Sequence, residues 1–279
     1  MDGKVLRDEI IEALRKELEA AGSPPVCLAT VLVGDDRPSE VYVRMKHQAA
    51  ERAGMLSKHV DLPGDVSQGQ VEAAVAELAA DPEVHGILVQ LPLPDGLDAN
   101  AVLEVVPADK DVDGLTEQSM GRLVRGAPGL APATPLGVMR LLQRYGVETS
   151  GRRAVIVGRS TLVGLPLALL LARKGVDATV TLAHSRTPEL AALCREADIL
   201  VGAAGQAQML TADHVKPGAA VVDVGVSRTA DGIVGDVDQA SVADVAGWLT
   251  PMPGGTGPMT IACLLENTML AARLQGAVG

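Results

Sequence analysis

The sequence predicts an α/β fold made of two α/β domains, and three observations carry that prediction. The chain has 279 residues, more than a single hydrophobic core usually organises. Apolar runs of strand length alternate with stretches of helical periodicity, as in parallel sheets covered by helices. A second such series begins at Arg153, after a stretch rich in Gly, Pro and charge (107–135) that reads as a domain junction.

The elements follow in order. Leu6, Ile10, Leu14 and Leu18 recur every four residues, predicting a first helix that stops at Gly22 and the Pro24-Pro25 pair. Residues 26–33 form an apolar run of strand length, broken at Gly34. Ser39 is the expected N-cap of the next helix, with Gly54 past its end. A short strand near 58–62 follows, then a helix opened by the capping-box pair Ser67 and Gln70 and running to about Ala80. Residues 86–90 read as a strand closed by Leu91-Pro92-Leu93-Pro94. Thr134 and Pro135 start a helix in the cap-plus-proline order, ending near Gly146.

The second series has strands at 154–157, 178–182, 199–201 and 219–223, with helices at 162–174 and 188–195 between them. A final helix, 258–274, follows a Pro/Gly loop and is expected to return to the first domain. The expected division is therefore 1–134 plus 258–279 for a catalytic domain, and 135–257 for a Rossmann-like domain.

Composition narrows the function classes. A net charge of −11 argues against a broad nucleic-acid footprint, which needs clustered Lys and Arg, so no nucleic-acid partner is expected. Cys27, Cys194 and Cys263 are widely spaced and odd in number, and Cys27 lies in an apolar run, which favours packing over a disulfide or metal site. The five His show no metal-ligand spacing, and no metal is expected. The longest strongly apolar stretch, 165–172, is too short to cross a bilayer, and the N-terminal residues lack a signal-peptide pattern. The expectation is a soluble cytoplasmic protein with no membrane partner.

The chain contains no Phe and only two Tyr, so a tyrosine kept here invites a polar explanation. Tyr42 lies four residues before Lys46, which puts phenol and amine on one helix face. Taken alone, the pair also fits a solvated helix surface. Gln90 ends its strand at the carboxyl edge, where parallel sheets bind ligands, though such an amide can equally bond its own turn. Asp109, Lys110, Asp111 and Asp113 crowd one turn, and this too could be no more than a solvated loop. The loop 250–260 holds Gly254, Gly255 and Gly257, which let backbone approach something flat or bulky.

In the second domain, Gly158, Ser160 and Gly164 mark a strand, a tight turn and a helix start, suited to a phosphate at the helix N-terminus. Ser160 stands where a full G-x-G-x-x-G has its second glycine. The next strand ends at His184, Ser185, Arg186 and Thr187, without the carboxylate that usually holds the ribose of NAD. Ser185, Arg186 and Arg159 suit a 2′-phosphate, which favours NADP. Gly-rich turns at 201–205 and 224–226 follow the next two strands.

These segments together resemble the bifunctional methylenetetrahydrofolate dehydrogenase/methenyltetrahydrofolate cyclohydrolase family. The matches are Ser39, Tyr42 and Lys46 in Ser-x-x-Tyr-x-x-x-Lys; 85–94 with Gln90; 110–114 with Asp113; 157–164 with Gly158, Ser160 and Gly164; and 253–260. They occur in the family's order from about Met1 to Leu274. The resemblance implies NADP-dependent oxidation of 5,10-methylenetetrahydrofolate to the methenyl form, then hydrolysis to 10-formyltetrahydrofolate for purine biosynthesis. It implies tetrahydrofolate derivatives in a cleft between the domains and a homodimer. Catalysis falls to Lys46, Tyr42, Gln90 and Asp113, with Val89, Leu91, Pro253, Gly254, Gly255 and Gly257 also bordering the folate. Gly158, Arg159, Ser160, Ser185 and Val226 are the implied NADP residues. Lys46 is the key group of the hydrolytic step, with Gln90 orienting it, and Asp113 holds the pterin. The chain departs from the family at Ala133, Thr256 and Val226, where Cys, Val and Ile are usual.

Two other readings compete. Short-chain dehydrogenases also use Tyr-x-x-x-Lys, but there the pair follows the cofactor motif within one domain, whereas here it precedes Gly158 by more than a hundred residues. A non-catalytic NADP-binding module would need the second domain without Tyr42, Lys46, Gln90 and Asp113 together.

Overall fold

The computed structural model describes residues 1–230 and 232–278. They form two compact units: Asp8–Ala133 with the chain from Ile261 onward, and Met1–Arg7 with Thr134–Thr260. The first seven residues thus lie with the second unit, whereas the sequence placed them with the first. The reason is a set of bonds that periodicity does not reveal. The Met1 ammonium donates to the Leu249 carbonyl (2.5 Å), the Asp2 N–H to the Tyr145 hydroxyl (2.7 Å), and the Gly3 N–H to the Gly254 carbonyl (2.9 Å).

The chain opens with α1 (Gly3–Ala20). The sheet of the first unit has β1 (Cys27–Val33) between β2 (Leu56–Leu62) and β3 (Gly86–Val89), all parallel. Every residue of β1 is buried, as its largely apolar run requires, with Thr30 satisfied by His47 and His59, while β2 is a half-exposed edge. Helices α2 (Arg37–Arg52), α3 (Gln68–Ala80), α4 (Ala99–Leu103) and α5 (Glu117–Arg125) complete this part of the chain. Val31, Val71, Val75, Ile87 and Val102 share its core.

Two expectations change here. The cap of α2 is Asp36, whose carboxylate accepts from the Ser39 N–H at 3.0 Å and the Ser39 hydroxyl at 2.7 Å. Ser39 therefore sits inside the first turn; an aspartate three residues earlier fills the capping role better than the hydroxyl. The expected junction contains α5, started by Thr116, which accepts the Ser119 N–H, and stopped by Gly126 at φ +63. The capping box of α3 is present as Ser67 and Gln70.

In the second unit the chain runs first through α6 (Ala133–Arg144), which begins one residue before the expected Thr134 cap. Next come β4 (Arg153–Val157), α7 (Gly164–Ala172), β5 (Thr179–Ala183), α8 (Leu190–Cys194), β6 (Ile199–Gly202) and β7 (Ala220–Asp223). A hairpin of β8 (Ser227–Thr229) and β9 (Gly232–Val234), then α9 (Gln239–Val242) and β10 (Trp248–Leu249), precede the last helix, α10 (Thr256–Leu274). The hairpin, α9 and β10 had no sequence signal, being two to four residues each.

The sheet runs β10-β7-β6-β4-β5, all parallel. The chain adds β5 on one side of β4 and then returns to add β6 on the other, so the order reverses at β4. That reversal opens a crevice at the strand's carboxyl end, where doubly wound sheets take their ligands. The three cysteines are buried thiols. Among the described residues, no helix is long and apolar enough to cross a membrane, and no cluster of His, Cys, Asp or Glu could hold a metal.

Candidate active site

The first unit buries an amine. Lys46, on the inner face of α2, is only 8% exposed, and its Nζ donates to Gln90 Oε1 at 2.9 Å. Gln90 follows the last residue of β3, one position later than its expected place as the strand's end. Its N–H is held by the Val31 carbonyl at 2.9 Å, and its Nε2 donates to the Leu91 carbonyl at 2.6 Å. The amide is therefore fixed with its oxygen toward Lys46. Tyr42 lies one turn before Lys46 on α2 and is 38% exposed. Val89 is buried in the strand, and Leu91 is half-buried beside Gln90.

Asp113 completes the group, and the structure explains its crowded loop. Lys110 Nζ donates to the Ala79 and Asp81 carbonyls at 3.0 and 2.7 Å, satisfying the C-terminal end of α3. Asp111 accepts from the Leu115 and Thr116 N–H groups, at 3.1 and 2.9 Å. Gly114 turns the chain at φ +69, where a Cβ would lie 2.4 Å from the Ala131 carbonyl carbon. Lys110 and Asp111 thus hold the loop, leaving Asp113 close enough to Lys46 for their charges to interact.

Burial lowers the Lys46 ammonium from its ordinary value, and the Asp113 carboxylate opposes that shift. Asp113 is pushed up, first by burial, with Lys46 pulling the other way and Asp111 adding to the rise. A buried lysine that reaches its neutral form more easily than a surface one is suited to proton transfer near neutrality.

In the second unit, the turn after β4 forms a cradle. Gly158 adopts φ +136, and a Cβ there would come within 2.0 Å of the Ala203 carbonyl oxygen. At Gly164 a Cβ would meet the Gly158 oxygen at 2.2 Å, so turn and helix close on each other through two glycines. Ser160 accepts the Val163 N–H at 3.2 Å, and α7 then begins with no side-chain cap. A helix start of that kind, at the reversal of strand order, fits a pyrophosphate. The Gly158 N–H bonds the Ala183 carbonyl at 2.9 Å, so the turns after β4 and β5 leave the sheet side by side. Arg159 and Ser160 are exposed on the first, and Ser185 and Arg186 on the second. Val226 is 49% exposed after β7.

Lys46, Gln90 and Asp113 therefore converge, while Gly158, Arg159, Ser160 and Ser185 share the carboxyl edge of another sheet. The loop with Pro253, Gly254, Gly255 and Gly257 belongs to this second unit. Gly254 and Gly255 are buried within it, against Lys4 and Gly3. Pro253 and Gly257 are exposed. Sequence reading missed three polar residues that organise these regions. Asn267 Nδ2 donates to the Val112 and Ala131 carbonyls, both at 2.8 Å, fixing the backbone beside Asp113. Asp223 and Asp236 are buried carboxylates behind the cofactor turns. The one available signal was Asp223, an aspartate ending an otherwise apolar strand.

Comparisons with known proteins point to one family. Residues 132–276 match the family model "tetrahydrofolate dehydrogenase/cyclohydrolase, NAD(P)-binding domain", and residues 1–113 match the corresponding catalytic domain. The bifunctional protein FolD 2 of Frankia alni is 53% identical over 283 residues, covering 100% of this chain and 97% of the relative. The crystal structure of the bifunctional FolD dehydrogenase/cyclohydrolase from Campylobacter jejuni is 43% identical. It superimposes with a TM-score of 0.94 and 98% coverage of both chains. The Trypanosoma brucei dehydrogenase-cyclohydrolase, crystallised with NADP and an inhibitor, is 37% identical with a TM-score of 0.93, covering 98% of this chain and 97% of its own.

Proposed function

This chain belongs to the tetrahydrofolate dehydrogenase/cyclohydrolase family, and from that premise we infer how its residues divide the work. It is a bifunctional one-carbon folate enzyme. It oxidises 5,10-methylenetetrahydrofolate to 5,10-methenyltetrahydrofolate with NADP, then hydrolyses the product to 10-formyltetrahydrofolate. The observation that carries the division is the buried Lys46, hydrogen-bonded to Gln90 and near Asp113.

When bound, NADP accepts the hydride that leaves the methylene carbon. Gly158, Ser160 and the start of α7 would hold its pyrophosphate, with Arg159 and Ser185 at the 2′-phosphate and Val226 also lining the site. The glycine cradle and the uncapped helix fit such a group. The chain's own residues bind and orient the folate. Asp113 accepts hydrogen bonds from the pterin, and Tyr42 offers its partly exposed ring as a wall. Val89, Leu91, Pro253, Gly254, Gly255 and Gly257 complete the assigned substrate residues.

In the hydrolytic step, water adds to the methenyl carbon and its proton passes to neutral Lys46. The carbon–N5 bond then breaks, N5 gains a proton as the carbinol O–H loses one, and one proton is released overall. Gln90 keeps the amine aimed, and Asp113 limits how far burial lowers its pKa. Hydride transfer needs positioning more than proton transfer, so Lys46 serves chiefly the hydrolysis.

Beyond this, we assign the protein to the cytoplasm as a homodimer, supplying formyl groups for purine biosynthesis. The test is a spectrophotometric assay with methylenetetrahydrofolate and either NADP or NAD, following reduction and ring opening separately, with the mass in solution measured alongside. Reduction of NADP in preference to NAD, coupled to ring opening, is expected. Absence of NADP reduction would leave a binding module and overturn the assignment.

A further inference from the structure

Behind the turns at 203–205 and 224–226, two buried carboxylates lie side by side. Asp223, the last residue of β7, is 1% exposed, and Asp236, just after β9, is 0% exposed. Asp223 Oδ1 and Oδ2 accept the Asp236 and Val237 N–H groups at 2.9 and 3.1 Å. Asp236 Oδ2 in turn accepts the Ala204 and Gly205 N–H groups at 2.5 and 3.0 Å. Asp236 Oδ1 is buried with no hydrogen-bond partner among the described residues.

The glycines around the pair show how closely it is enclosed. A Cβ at Gly225 would lie 2.1 Å from Asp236 Oδ1, and one at Gly235 would lie 1.9 Å from Asp223 Oδ2. Buried carboxylates are costly unless several donors satisfy them, so a pair kept here needs a purpose that an apolar core would not serve.

Its bonds lead to the cofactor cradle. Ala203, the residue before the two N–H groups that Asp236 holds, bonds the Val157 carbonyl through its own N–H at 2.8 Å. Its carbonyl is the one that Gly158 must clear. Asp236 thus fixes the turn after β6 against the turn after β4, and Asp223 fixes Asp236. Gly225, in the turn after β7, closes over the far side of Asp236. The turns after β6 and β7 thus meet one carboxylate, and the turn after β4 is linked to it through Ala203. Asp223 is tied further, its N–H to Thr250 Oγ1 and its carbonyl to Thr256 Oγ1, both at 2.8 Å.

We propose that Asp236, held by Asp223, is a positioning residue for NADP: it sets the turns at 203–205 and 224–226 against Gly158. It touches neither cofactor nor substrate. Burial supports the pairing, since it pushes the Asp223 carboxyl up to about 6, with Asp236 adding to the rise. This inference rests on the assignment of NADP to the Gly158 turn.

The test uses Asp236→Ala and Asp236→Asn in the full chain, with three readouts. These are NADP binding by fluorescence titration, KM for NADP in the dehydrogenase step, and cyclohydrolase rate on methenyltetrahydrofolate without NADP. Alanine leaves the Ala204 and Gly205 N–H groups without an acceptor and should raise KM for NADP at least tenfold. Asparagine keeps an acceptor for both and gives the orphaned position a donor, so it should stay within about threefold of the unaltered protein. Cyclohydrolase rates should stay within about twofold in both. Unchanged NADP affinity in Asp236→Ala, failure of Asp236→Asn to restore it, or parallel loss of both activities overturns the inference. Absence of NADP binding to the unaltered protein overturns the cofactor assignment itself.

Discussion

Gln90 gives the sharpest test of how Lys46 is tuned. Its Oε1 receives the Lys46 Nζ at 2.9 Å, and its Nε2 is pinned by the Leu91 carbonyl at 2.6 Å. In Gln90→Leu the Lys46 ammonium loses that acceptor and stays buried. A hydrogen bond to a charged group contributes about 1.5–3 kcal/mol, equivalent to about one to two pKa units. The amine should therefore neutralise at lower pH, adding to the depression that burial already causes. In Gln90→Glu a carboxylate takes the same place and should raise the lysine by about one to three units. The assay is cyclohydrolase rate against pH without NADP, corrected for uncatalysed ring opening. The limb on which rate rises with pH should move down in the leucine variant and up in the glutamate variant. A limb that stays put in both, or moves the same way in both, refutes the tuning argument.

Two further outcomes follow from the second unit. Asp223 is raised from 3.8 to about 6, so between those values the folded protein holds a proton that the unfolded chain has lost. Its contribution to stability therefore falls as pH rises, by about 3 kcal/mol in all. Asp223→Asn cannot ionise, so urea unfolding should show stability relative to this variant dropping by that order from pH 4 to 7; a constant difference counts against the shift. Gly158→Ala puts a Cβ 2.0 Å from the Ala203 oxygen at φ +136, which costs about 1–3 kcal/mol of backbone strain. Isothermal titration should show NADP affinity reduced about tenfold or more, while the cyclohydrolase rate is preserved.

The long, strongly patterned elements were legible in the sequence, and the short polar ones were not. β1 announces itself because every residue is buried, so six of its seven residues are apolar. The hairpin of β8 and β9 has three residues a side and half-exposed or exposed positions, leaving no periodicity to read. Ser39 was expected to cap α2, but Asp36 does, because its carboxylate takes both the N–H and the hydroxyl of Ser39, a pairing that residue type alone does not announce. In the site, Tyr42, Lys46, Gln90 and Asp113 were visible as polar residues at unusual places. That Lys46, Gln90 and Asp113 share one place followed from the family resemblance and not from the residues alone, because it depends on Lys110 and Asp111 being spent on holding the loop. Asp223 and Asp236 escaped notice because their partners are backbone N–H groups, which every sequence supplies.

The central claim is that one buried lysine serves the hydrolysis while the hydride step depends mainly on positioning. Lys46→Met, assayed for both steps on one preparation, tests it most directly. The account predicts cyclohydrolase activity reduced by about 10²–10⁴-fold, with NADP-dependent oxidation kept within about tenfold of the unaltered protein. Cyclohydrolase activity surviving in Lys46→Met, or both activities lost together in a folded protein, would contradict it.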